Sequence, residues 1–137
     1  MKKYLPIIAF LALIKLCIHL IGNRNYGFHR DELLHLAVSR HPDFGYMEFP
    51  PFIAWVGKLA DWTFGFSPSG VRIFATIAGI VILVICCLMA KEMGGQKHAI
   101  AVAGIAILAF LPYYRNHCLF QPVAFDQMFW TLGFYLL

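Results

Sequence analysis

The densest potential for chemistry in this sequence is at His29-Arg30-Asp31-Glu32, where two adjacent carboxylates follow a histidine and an arginine. A carboxylate at a water–membrane boundary is partly desolvated, which raises its pKa and makes it a better proton acceptor. The same pair at a helix start would also complement the helix dipole, by roughly 0.3–1 kcal/mol. Local sequence leaves both readings open. His35 follows Asp31 by four residues, so a helix puts the two on one face. There it would orient the carboxylate, contact an anionic substrate or have no role. His29, His35 and His41 are six apart, a spacing that does not converge on one metal from one helix. Gly45-Tyr46-Met47-Glu48-Phe49-Pro50-Pro51 is the most unusual stretch, because its prolines fix the backbone just after Glu48. Glu48 is a candidate ligand for a divalent metal, a partner for a cationic group, or a solvated turn carboxylate. Asp126 stands in a very apolar context, where an ionisable residue is a functional candidate by default.

The elements that must position these residues follow from composition. Of 137 residues 61% are hydrophobic and 13% charged. A soluble domain carries about 45–50% apolar and about 25% charged residues. The excess is gathered in long runs, and a span needs roughly 20 mostly apolar residues. The predicted architecture is all-α: a membrane helix bundle with about four spans, at about 4–22, 71–93, 98–112 and 123–137. The first run reads as an uncleaved signal anchor, since no small-residue cleavage site follows it. Lys15 within it is costly at mid-membrane and is expected to face the bundle interior or to snorkel. Pro112 ends the third run, and the fourth is still running at Leu137, so the chain is expected to be the N-terminal piece of a longer protein.

A polar connection over about 23–70 separates the first two spans. Within it, residues 31–40 read as a short amphipathic helix with Leu33, Leu36 and Ala37 on one face. Pro50-Pro51 restarts the chain, and Phe52 to Phe64 resumes helical periodicity through Ile53, Val56, Leu59 and Ala60. Pro51 suits a helix start and Gly65 a stop. Trp55 and Trp62 suit anchoring at a membrane interface.

Charge sets orientation. Lys2, Lys3, Lys91 and Lys97 lie in very short segments, which marks that side as cytoplasmic. The 23–70 loop, with Asp31, Glu48 and the flank of Asp126, is then external to the inner membrane. Arg30, Arg40, Arg72 and Arg115 gather on the same face, a setting that suits an amphiphile with a phosphate head. The formal charge of +4 comes from scattered residues with no dense basic stripe, so nucleic acid is not an expected partner. Cys17, Cys86, Cys87 and Cys118 have no metal-site spacing and read as small helix residues.

Tyr26-Gly27-Phe28-His29-Arg30-Asp31-Glu32, then Gly45-Tyr46 and Pro50-Pro51, then Ala124-Phe125-Asp126-Gln127 follow one another in a topology that resembles the GT-C membrane glycosyltransferases. The likeness is to the bacterial branch related to protein O-mannosyltransferases and lipid A aminoarabinose transferases. It implies a polyprenyl-phosphate-linked sugar donor, a lipid, glycan or protein acceptor, and transfer at the external face by direct displacement with inversion. It makes Asp31 the catalytic base, with Glu32 beside it in the acidic pair. Glu48 takes the place of a glutamate involved in metal binding in the aminoarabinose transferases, although Phe49 stands where they carry lysine. Arg30, His35, Tyr46, Asp126 and Arg115 become candidates for substrate binding. The family's later spans and C-terminal domain are not in these residues, so this stretch alone is expected to be inactive.

Two other classes fit the same pattern. A transporter or assembly subunit would use the interfacial charges to line a pathway or hold helices together, but no internal repeat of broken helices is visible. A non-catalytic subunit would bind the lipid carrier without turnover.

Overall fold

The computed structural model describes residues 3–137; Lys2, one of the lysines that orient the chain, lies outside them. The described residues form seven helices and no strand: α1 Leu5–Gly22, α2 Arg30–Ser39, α3 Phe52–Phe64, α4 Pro68–Glu92, α5 Lys97–Ala109, α6 Leu111–Cys118 and α7 Pro122–Leu136.

Local signals explain most of the boundaries. Ser67 caps α4, its Oγ accepting from the Gly70 N–H at 3.1 Å, and Pro68 fills the first turn. Gly65 ends α3 at a φ of 67°, a left-handed turn that glycine adopts without a Cβ penalty. Pro112 and Pro122 sit in the first turns of α6 and α7.

At 25 residues, α4 is roughly 37 Å long. It packs against α1, α3, α5, α6 and α7, and so forms the axis of the bundle. Two apolar cores lie along it. The first joins Val71, Ala75 and Ala78 to Leu36 of α2, Ile53 and Ala60 of α3, and Phe120, Ala124 and Phe125 at α7. The second joins Ile82, Leu83 and Cys87 to Ile8 and Leu11 of α1 and to Ile100 and Ile107 of α5.

α1 and α4 are long and apolar enough to cross a membrane, and this is a membrane protein. α5 and α6 together qualify as a third span, bent by 62° at their junction. α5 ends at Ala109, close to the expected end of the third run, and after a break at Phe110 the chain continues as α6 with Pro112 in its first turn. α7 begins at Pro122, close to the expected start of the fourth run, and is helical to Leu136.

α2 forms where expected but turns a different face inward. Glu32, His35, Leu36 and Ser39 are buried, while Leu33 and Ala37 are exposed. The cause is an ion pair described below, which rotates the helix to bury Glu32. In α3, similarly, Ile53, Ala54, Gly57 and Ala60 face the core and Leu59 faces outward.

Candidate functional site

The site begins with a helix cap. His29 precedes α2, its Nδ1 accepting from the Asp31 N–H at 3.3 Å, while the His29 N–H donates to Glu32 Oε2 at 2.7 Å. This reciprocal cap fixes the two carboxylates in the first turn, pointing different ways.

Glu32 points inward and is fully buried. Arg72 of α4 meets it with two parallel bonds, Nε to Oε1 at 2.8 Å and Nη2 to Oε2 at 2.6 Å. The Phe120 N–H donates to Oε1 at 2.8 Å and ties in the link between α6 and α7. With the His29 N–H, all four acceptor positions of this carboxylate are filled. Arg72 is equally saturated. Its other N–H groups reach the carbonyls of Asn23 at 3.4 Å, Tyr26 at 3.1 Å and Gly27 at 2.7 Å, so all five donors are in use. Burial alone would push the Glu32 carboxyl up, but the bonds from Arg72, Phe120 and His29 outweigh it and hold its pKa below the usual carboxylate value.

Asp31 points the other way and is 44% exposed. Its Oδ2 accepts from Gln121 Nε2 at 3.2 Å and its Oδ1 from Arg30 Nε at 3.2 Å. Gln121 and Phe120 are adjacent, so one short link holds both carboxylates. Asp31 keeps acceptor capacity open toward solvent, and Glu32 does not.

Beside this pair opens a cavity of about 690 Å³, with Tyr26, Gly27 and His29 on one wall and Tyr114, Arg115 and Leu119 on another. Arg72 and Cys118 line it as well. The lining is mostly apolar, with the exposed guanidinium of Arg115 among it, which fits an amphiphile carrying an anionic head. The 23–29 segment that forms the first wall is held by the Arg72 contacts to its carbonyls.

The family model for dolichyl-phosphate-mannose-protein mannosyltransferase matches residues 48–137, well over half of the chain. The chain belongs to this family. Among curated proteins it is similar to the polyprenol-phosphate-mannose–protein mannosyltransferase of Corynebacterium glutamicum, at 29% identity over 53% of this chain and 14% of that protein. It is also similar to the protein of that name from Mycolicibacterium smegmatis, at 23% identity over 66% of this chain and 18% of that one. The chain thus spans under a fifth of the length of these relatives. No solved structure matches it.

Within this member of the mannosyltransferase family, the residues singled out by sequence fall into two groups. Arg115 is exposed on the cavity lining, exposed Arg30 and half-exposed Asp31 follow the lining residue His29, and Glu32 is buried behind them. The others are elsewhere. His35 is buried, edge-on to Phe49 with ring centroids 5.1 Å apart, and burial lowers its pKa despite the nearby Asp31 and Glu32. Tyr46 braces its own loop, its hydroxyl donating to the His41 carbonyl at 2.8 Å and accepting from the Asp43 N–H at 2.9 Å. Glu48 is exposed, and Asp126 is exposed in the second turn of α7. Among the described residues no three His, Cys, Asp or Glu side chains converge as metal ligands.

Sequence reasoning counted Arg72 only as one of several cations at this face. The available signal was its place inside the apolar run of α4, where a guanidinium requires a buried partner.

Proposed function

We propose that this chain forms the donor-binding part of a membrane mannosyltransferase that moves a sugar from a polyprenyl phosphate to a hydroxyl of a protein acceptor. The names of its relatives support the donor and acceptor classes. The observation that carries the reading is the division of labour within the acidic pair. Glu32, with every acceptor position filled, is a positioning group, while Asp31 is anchored through Gln121 yet open to solvent beside a basic, apolar cavity.

The chemistry follows from that placement. Asp31 takes the proton of the acceptor hydroxyl as its oxygen attacks the anomeric carbon. The bond from that carbon to the phosphate oxygen breaks, and the lipid phosphate leaves with the electron pair. Arg115, exposed at the cavity rim, meets the charge that grows on the leaving group. A single displacement of this kind inverts the anomeric centre. The loop over 23–70 lies on the external face and the N-terminus on the cytoplasmic side of the inner membrane, as short-loop lysines indicate.

The test is Asp31→Asn against Glu32→Gln in a transfer assay with purified full-length protein and a polyprenyl-phosphate sugar. Loss of a general base lowers rate by roughly 10²–10⁴-fold. Asp31→Asn should show that loss in kcat with normal folding, whereas Glu32→Gln should lose folded protein first. Normal turnover by Asp31→Asn would sink the assignment.

A further inference from the structure

A second polar cluster lies midway along the bundle, apart from the ion-pair network. Lys15 and His19 are one turn apart on α1 and His117 comes from α6, each at most 2% exposed. Gly79 of α4 lets them meet, since a Cβ there would come within 2.8 Å of Lys15 Cε and 2.5 Å of the His117 ring. The layer separates the two apolar cores, because Gly79 follows Ala78 of one and precedes Ile82 of the other. Both ring nitrogens of His117 are unpartnered. Among the described residues Lys15 forms no ion pair.

An unpaired ammonium in such surroundings carries a large desolvation cost. A leucine or methionine would fill the same space without it. One layer of side chains separates this charge from the 690 Å³ cavity. Cys118 Sγ is 3.1 Å from His19 Nδ1, the Tyr114 ring lies 5.2 Å from that of His19, and both Cys118 and Tyr114 line the cavity. A void of about 10 Å³ between Lys15, His19 and Tyr114 is close to the size of one water. Glu32 offers no counter-charge because Arg72 already neutralises it. In apolar surroundings a charge one layer back is little screened and still acts on an anion in the cavity.

We propose that Lys15 is the cationic floor of the cavity, a buried and uncompensated charge that favours an amphiphile with a phosphate head without touching it. The inference rests on the transferase reading and makes Lys15 a positioning residue for the donor.

The experiment uses full-length protein in nanodiscs and measures binding of a polyprenyl monophosphate, of the uncharged polyprenol of equal length, and of inorganic phosphate. Lys15→Met and Lys15→Gln should each weaken the polyprenyl phosphate about tenfold and leave the polyprenol unchanged. Their thermal midpoints should equal or exceed that of the wild type, since the unpaired ammonium is no longer buried. Inorganic phosphate that binds with the same Lys15 dependence would make the floor a site for free anions; no such binding ties it to a lipid headgroup. Equal losses for both amphiphiles, or a lowered midpoint in both variants, would make Lys15 merely structural and overturn the proposal. So would unchanged phosphate affinity in either variant. A wild type that binds the phosphate through Lys15 yet transfers no sugar would remove the transferase reading and leave the floor intact.

Discussion

At the scale of residues, the pairing of Glu32 with Arg72 governs what its neighbours can do. Removing one member of a buried pair strands the other, at a cost of about 3–5 kcal/mol. Arg72→Met should therefore destabilise the fold by that order in a denaturant titration, and it should also free the 23–29 segment whose carbonyls Arg72 holds. The double variant Arg72→Met/Glu32→Leu should recover part of the loss, because no charge is then left unpaired. The same pair makes stability depend on acid. The Glu32 pKa is lower folded than unfolded, so the unfolded chain binds more protons in that range. Its contribution is complete above the ordinary glutamate value of 4.5 and is lost as pH falls through the lower folded value. The buried His35 adds a shallower decline that starts higher, as pH falls below its ordinary 6.5. Thermal midpoints against pH should thus fall in two stages, and His35→Phe should shrink the upper one, which the other buried histidines, His19 and His117, share. A single stage shared by wild type and His35→Phe would refute the histidine part.

At the scale of elements, α3 has the bounds that Pro51 and Gly65 announce, and it carries Trp55 and Trp62 outward. It has 13 residues with Lys58 and Asp61 among them, too few and too charged to span. Quenching by lipids labelled at defined depths, in a Trp130→Phe background, should show both remaining tryptophans shallow. Mid-bilayer quenching of the pair would mean that α3 is inserted. Punctuation of this kind made α1, α3, α4 and α7 readable from sequence, because prolines, glycines and a serine cap act locally. α6 was not readable, since Pro112 serves equally as the end of one helix and the first turn of the next. The buried face of α2 was hidden for a different reason. Its rotation is set by Arg72, forty residues away, and overrides the apolar periodicity of Leu33, Leu36 and Ala37. The acidic pair could be located in the sequence, but its division into one engaged and one open carboxylate could not. That split depends on Phe120 and Gln121, which no local pattern brings to α2.

At the scale of the whole molecule, orientation decides whether the cavity meets a donor from outside. In a cysteine-free background, a single cysteine at position 43 should react with an impermeant reagent in intact cells, and one at position 96 should not. The opposite pattern would invert the topology and remove the external-face reading. The long reach of the Glu32 contacts also has a consequence for the order in which the protein is made. Glu32 emerges from the ribosome 40 residues before Arg72 and 88 before Phe120. At roughly 5–20 residues per second, the second gap corresponds to on the order of ten seconds of synthesis. Until Arg72 arrives the carboxylate has only the local His29 N–H, and until Phe120 follows one acceptor position must stay hydrated, so the segment holding Asp31 cannot settle when it first appears. It closes only after α4 and the link before α7 have arrived. An arrest of translation between those points would leave a half-made protein whose first loop is still open to chaperones and proteases.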